Sequence, residues 1–114
     1  MTSSPLLDIQ TEHQDGAILL VVTGEVDLSS VHTLRDAIEA ASTRRGTGEA
    51  VVVDLTDVGF LGSAGLAVLA EYHEVLPLRL VLSEGPVRRA LEISAMDRVL
   101  DVYDTRAAAM RPAR

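Results

Sequence analysis

Ala50-Val51-Val52-Val53-Asp54-Leu55-Thr56-Asp57-Val58-Gly59-Phe60-Leu61-Gly62-Ser63-Ala64-Gly65-Leu66 carries an apolar run of strand length into a glycine-rich turn and then into a helical pattern. A continuous run such as Ala50–Leu55 predicts a central strand covered on both faces. From Ser63 onward Leu66, Leu69, Ala70, Tyr72, His73 and Leu76 recur at helical spacing until Pro77. Leu78–Leu82 then reads as a second apolar strand. Strand, helix and strand in this order define a βαβ unit with parallel pairing.

The same alternation continues downstream. Ser83-Glu84-Gly85-Pro86 reads as a turn, Val87–Ser94 as a helix with proline at its first turn, Val99–Tyr103 as a strand and Thr105–Met110 as a short helix. Upstream, Leu7–Glu12 predicts a short strand, His13-Gln14-Asp15-Gly16 a turn with an Asp-Gly signal, and Ala17–Thr23 a longer strand. Ala17-Ile18-Leu19-Leu20-Val21-Val22 does not alternate, so both faces of that strand are expected to be at least partly covered. After Gly24-Glu25-Val26-Asp27, Ser29 or Ser30 is expected to cap a helix whose apolar residues are Val31, Leu34, Ala37, Ile38 and Ala41, ending at Arg44-Arg45-Gly46. The prediction is an α/β domain. It has a mixed, mostly parallel sheet of about five strands, about four helices and an opening β-hairpin, with its core at residues 6–103 and loose ends of five residues each.

Composition limits what such a domain can do. At 114 residues the chain suits one compact domain and is short for two. Aromatic residues make up 3% and tryptophan is absent, so the core must be aliphatic and no base-stacking platform can be assembled. A net charge of −7 argues against nucleic acid, whose binding depends on cationic neutralisation of phosphates. No apolar run approaches the ~18 residues of a membrane span, and the N-terminus lacks a signal-peptide pattern. The absence of cysteine excludes thiolate chemistry and fits a cytoplasmic protein. His13, His32 and His73 are too scattered for a metal motif, so no metal or other cofactor is expected.

Ser63 is the residue with a chemical role to explain. Between Val58 and Leu82 the only other side-chain hydroxyl is Tyr72. A serine opening a helix faces free N–H groups and the positive end of the helix dipole, a setting that tolerates a phosphate. The bland reading is an N-cap serine. A hydrolase elbow requires glycine two residues before the nucleophile, where Leu61 stands, and no histidine follows His73 to complete a triad. The glycines at 59, 62 and 65 lack the Gly-Lys-Ser/Thr ending of a phosphate-binding loop. Asp27 reads, from its place in the chain, as an acceptor for backbone N–H groups at the start of the Val31 helix. Arg88 and Arg89 read as a solvated face, with a phosphate contact as the alternative.

Taken in order, Gly24-Glu25-Val26-Asp27, the valine strand ending in Asp54-Leu55, Phe60-Leu61-Gly62-Ser63-Ala64-Gly65-Leu66 and Gly85-Pro86-Val87-Arg88-Arg89-Ala90-Leu91 resemble the STAS domain of bacterial anti-anti-sigma factors over roughly Leu6–Tyr103. The resemblance implies a non-enzymatic antagonist that binds an anti-sigma factor and so releases a sigma factor. In that family the anti-sigma factor is a serine kinase of the histidine-kinase-like ATPase type. Phosphorylation of one serine weakens binding and a phosphatase restores it. The family motif Asp-Ser-Ser/Thr-Gly-Leu aligns with Gly62-Ser63-Ala64-Gly65-Leu66, so Ser63 is the implied phosphorylation site. Gly62 replaces the aspartate and Ala64 the second hydroxyl. The implied partner-binding residues are Asp27, Phe60, Leu61, Gly62, Ser63, Ala64, Gly65 and Leu66, in a monomer or weak dimer. The alternatives are a STAS module of a signalling scaffold, or a transport-associated small-ligand binder without a phosphorylation switch.

Overall fold

In the computed structural model, which describes residues 7–14 and 16–110, five strands form one sheet in the order β1-β2-β3-β4-β5. β1 (Leu7–Gln14) pairs antiparallel with β2 (Ala17–Val26), and β2, β3 (Ala50–Leu61), β4 (Leu78–Val81) and β5 (Asp101–Tyr103) pair in parallel. The hairpin is tight because Gln14 pairs directly with Ala17, and Gly16 takes φ 83°. Asp15 of the expected turn lies outside the described residues. The parallel strands are joined by α1 (Val31–Arg44), α2 (Ser63–His73) and α3 (Pro86–Ile93), with a 3₁₀ turn at Met96–Arg98 before β5 and α4 (Arg106–Met110) after it. The 3₁₀ turn carries no apolar period and is absent from the sequence reading.

A parallel sheet that grows steadily in one direction through right-handed crossovers keeps every crossover helix on the same face. The core is divided accordingly. Leu34, Ile38 and Ala41 of α1, Val68, Leu69 and Tyr72 of α2 and Val87 and Leu91 of α3 pack in one cluster with Ile18, Leu20, Val22, Val51, Val53, Leu55, Leu78 and Leu80. The opposite face buries a smaller set, Ala17, Leu19, Val52 and Val81, beneath Ala109 of α4. Both central strands therefore have two covered faces, as their unbroken apolar runs require. α1 and α2 are also tied together at their outer edge. Tyr72 donates to Glu39, while Arg35 lies 5.9 Å from the Tyr72 ring centroid and pairs with Glu71 at 3.1 Å.

The structure alters several expected boundaries. β3 does not end at Leu55 but continues to Leu61. Its residues facing the main core are Val51, Val53, Leu55, Val58 and Leu61, so the two-residue period lengthens twice to three. At the same places the register against β2 slips, between Val21/Thr23 and between Gly24/Glu25, each time placing one extra residue in β3. These are β-bulges, which swap the faces of the residues beyond them. The fold continues past Tyr103 through α4, which closes the second face. Leu6, expected at the edge of the core, and residues 1–5 and 111–114, expected at the loose ends, lie outside the described residues. Arg88 is half-buried, donating to Leu82 O at 2.9 Å and to Asp104 at 3.0 Å, while Arg89 is exposed as expected. Among the described residues no helix is long and apolar enough to cross a membrane.

A five-residue helix has no stability of its own, since nucleation costs more than one turn returns. α4 is held by its ends. Thr105 Oγ1 accepts from Ala108 N at its start, Arg79 donates to Ala109 O at 2.8 Å, and Arg106 Nε donates to Asp54 Oδ2 at 2.5 Å. Asp54 is buried on β3, and burial pushes its pKa up. Hydrogen bonds from Thr56 and Arg106 outweigh that and hold the carboxyl below its ordinary 3.8. A carboxylate with a depressed native pKa stabilises the fold fully above the unfolded value and loses that contribution as pH falls through the native one. The stability difference between the wild type and Asp54→Asn in urea unfolding is therefore expected to be constant from pH 7 down to about 4 and to close below it. A gap that persists unchanged at pH 2 would contradict the ionic role of Asp54.

Candidate functional site

β3 leads into α2 through a single residue. Gly62 is the N-cap, with φ −86° and ψ −178°, and its N–H donates to Val26 O at 2.9 Å, joining the end of β2 to the start of α2. Ser63 is thus the first helical residue and not the cap. Its side chain is exposed, and among the described residues it has no hydrogen-bond partner. The first intrahelical bond runs from Leu66 N to Gly62 O at 3.1 Å. The N–H groups of Ser63, Ala64 and Gly65 are therefore the unpaired donors that open any α-helix.

The turn after β2 lies beside this helix start. Asp27 Oδ1 accepts from Ser29 N at 2.9 Å, from Ser29 Oγ at 2.7 Å and from Ser30 N at 3.2 Å. These bonds hold the Asp27 carboxyl below its ordinary range, the Ser29 hydroxyl contributing most. The carboxylate thus accepts backbone N–H groups before α1, as one of its two readings holds, while also facing the Ser63 surface. Neither expected serine caps α1 with its hydroxyl. Ser30 occupies the N-cap position, but its buried Oγ turns back to the strand, donating to Glu25 O at 2.7 Å and accepting from Asp27 N at 3.0 Å.

Asp27, Leu28, Ser29, Phe60, Gly62, Ser63 and Ala64 line one open depression of about 450 Å³. Among these residues there is no lysine, arginine or histidine. The structure thus brings together Asp27, Phe60, Gly62, Ser63 and Ala64 from the sequence-predicted set. It separates out Leu61 and Gly65, which are buried, and Leu66, which is half-buried against the main core. These three support the surface from beneath. Gly65 sits so close to the strands that an added Cβ would lie 2.5 Å from Leu61 Cδ1 and 2.7 Å from Val26 Cγ1. Asp54 and Asp57, the acids nearest in sequence, are engaged elsewhere: Asp54 pairs with Arg106 on the α4 face, and Asp57 adds to the acidic field around that arginine.

Leu28 is the site residue that the sequence reading missed. It is 85% exposed and lines the depression beside Ser63. Its signal was an apolar residue inside Asp27-Leu28-Ser29-Ser30, out of phase with the helix that follows. Phe60 is 51% exposed because the second bulge sends Leu61 inward in its place. An isolated glycine in a strand pattern, here Gly59, is the usual mark of such a bulge.

Residues 8–109 match the STAS domain family, and the chain belongs to it. The anti-sigma-F factor antagonist RsfA of Mycobacterium tuberculosis is 30% identical over 112 residues, covering 94% of this chain and 88% of the relative. An anti-sigma F factor antagonist of Paenibacillus polymyxa is 26% identical over 103 residues, covering 86% of this chain and 87% of that protein. Among solved structures, an anti-sigma factor antagonist from Mycobacterium paratuberculosis superposes with a TM-score of 0.83 at 29% identity, over 96% of this chain and 95% of that one. The unphosphorylated form of the anti-sigma factor antagonist SpoIIAA shares the fold, with a TM-score of 0.69 at 17% identity over 89% and 92% of the two chains.

The close approach at residue 65 sets the seat of α2. Gly65→Ala would gain helix propensity at an exposed site, yet here the new methyl group meets a β-branched valine and a buried leucine. Overpacking of this kind costs about 1–3 kcal/mol, so the substitution is expected to lower stability by that amount in urea unfolding. An increase in stability would show that α2 can lift from the sheet without cost.

Proposed function

We propose that this protein is an anti-sigma factor antagonist of the cytoplasm. It binds an anti-sigma factor over the surface that contains Ser63 and so releases the sigma factor. Binding is switched off when Ser63 is phosphorylated by the anti-sigma factor acting as a serine kinase, and a phosphatase restores it. Relatives named for this role support the reading, and one observation carries it to a residue. Ser63 is an exposed, unpartnered hydroxyl at the first position of α2, inside a mostly apolar depression.

The physics of the switch follows from what surrounds that hydroxyl. A phosphoserine brings about −1.5 to −2 charges and three acceptor oxygens. In the free protein this is tolerable, because the unpaired N–H groups of the first turn and the α2 dipole favour an anion and the depression is open to water. A docked partner changes the balance. The phosphate then loses water next to Phe60, Leu28 and Ala64, with the Asp27 carboxylate in the same depression and no cationic side chain in its lining. Burying an uncompensated charge costs several kcal/mol, and each ~1.4 kcal/mol weakens an affinity about tenfold. The hydroxyl form carries no such penalty. Ala64 leaves Ser63 as the sole side-chain hydroxyl in the first turn of α2, so phosphorylation has a single acceptor there. The activity is binding, with no chemistry performed by this chain.

The test combines the protein with the serine-kinase anti-sigma factors of its own genome and ATP. Mass spectrometry is expected to find one added phosphate, on Ser63, with loss of the complex. Ser63→Ala should take no phosphate and stay bound, and Ser63→Glu should bind at least about tenfold more weakly, given one buried charge. If Ser63→Glu binds as tightly as the wild type, phosphorylation at Ser63 is not the switch.

A further inference from the structure

Five large apolar side chains are prominently exposed among the described residues: Leu28, Phe60, Val75, Ile93 and Val99. Leu28 and Phe60 line a common depression, and it is the one that holds Ser63. They come from different parts of the chain, the turn after β2 and the end of β3. Their proximity depends on the β2–β3 register, in which Glu25 pairs with Phe60 and Val26 with Leu61.

Phe60 is held in place by its neighbour. A Cβ built on Gly62 would lie 3.1 Å from Cε2 and 3.3 Å from Cζ of the Phe60 ring, so the ring edge rests against the bare α-carbon. The backbone of Gly62, at φ −86° and ψ −178°, is an extended conformation open to any residue. What glycine supplies there is space and not conformational freedom. A Cβ at 62 would require the ring edge to shift by a few tenths of an ångström from its seat beside the helix start.

We infer that Phe60, positioned by Gly62 and flanked by Leu28, is the apolar anchor that the anti-sigma factor covers with an apolar side chain of its own. On this division the anchor sets the strength of the complex and Ser63 sets its regulation. The inference rests on the antagonist reading above. The partner is the occupant because Phe60 and Leu28 share the lining of the depression with Ser63, so whatever a Ser63 phosphate repels must also lie over them. Exposed aromatic residues at the centre of an interface carry a disproportionate share of binding energy. A ring already fixed against its own backbone loses little freedom on docking.

The experiment measures dissociation constants by biolayer interferometry for the unphosphorylated wild type, Phe60→Ala, Leu28→Ala, Gly62→Ala and the Phe60→Ala/Gly62→Ala pair. The immobilised probe is the serine-kinase anti-sigma factor that binds the wild type. Thermal midpoints and light scattering accompany each variant. Phe60→Ala is expected to weaken binding about tenfold or more, and Leu28→Ala about threefold or more. Gly62→Ala should weaken it about threefold or more alone but change it by less than about twofold once Phe60 is alanine, because its effect passes through the ring. A general loss of helix capping would act equally in both backgrounds, and that result would overturn the role of Gly62. Binding by Phe60→Ala within about twofold of the wild type would remove the anchor while leaving the antagonist function standing. A dimer that Phe60→Ala dissolves without affecting kinase binding would assign the surface to a second copy of this chain and overturn the inference. If the wild type binds none of the anti-sigma factors, the antagonist reading fails and takes the anchor with it.

Discussion

The α-carbon of Gly65 sits on Val26 and Leu61 where no methyl group fits, and the placement of the whole site follows from that contact. It lets the first turn of α2 lie directly on the ends of β2 and β3. The Gly62 N–H then reaches Val26 O, and the connection from strand to helix shrinks to one residue. Ser63, one residue further, is fixed beside the turn that follows β2. A glycine inside a helix costs about 1 kcal/mol relative to alanine in an exposed setting. Here that cost is offset by packing that no larger residue could make.

The rest of the molecule maintains this junction. The two central strands are covered on both faces, by three crossover helices on one side and by the short α4 on the other. The sides are held by different means. The helix-rich face is a broad aliphatic cluster whose stability comes from buried area. The α4 face has few apolar contacts and depends on polar ties, the Asp54–Arg106 pair and the Arg79 bond to Ala109 O. The same pair removes Asp54 from the electrostatics of the Ser63 surface, leaving Asp27 as the acid that shares its depression.

At that surface, residues of two kinds share a small area. Leu28 and Phe60 are exposed apolar groups, while in the function proposed for this surface Ser63 and Asp27 decide what charge a partner must bury. A phosphate on Ser63 would alter only the second term. The shape of the protein need not change for affinity to fall, because the free helix terminus accepts an anion that a dry interface does not.

Much of this was legible in the chain itself. The unbroken run Ala50–Leu55 predicts a doubly covered central strand, the helical period after Ser63 predicts α2, and the βαβ alternation predicts parallel pairing, because burial imposes these periods directly on residue type. The place of Ser63 as the one hydroxyl at the start of α2 was equally plain. What the sequence alone left undecided depends on neighbours distant in the chain. The Ser30 hydroxyl turned to Glu25 O instead of capping α1, since a strand carbonyl was within reach. Gly62 displaced Ser63 from the cap because β3 runs on to Leu61. The first bulge in β3 turns Val58 inward in place of Asp57, and the second restores the phase, so that Leu61 is buried and Phe60 is an exposed ring. No local pattern encodes which face a residue takes after a bulge. That depends on register against β2, so the sequence determined the elements and the hydroxyl, and only the tertiary pairing decided which side chains surround it.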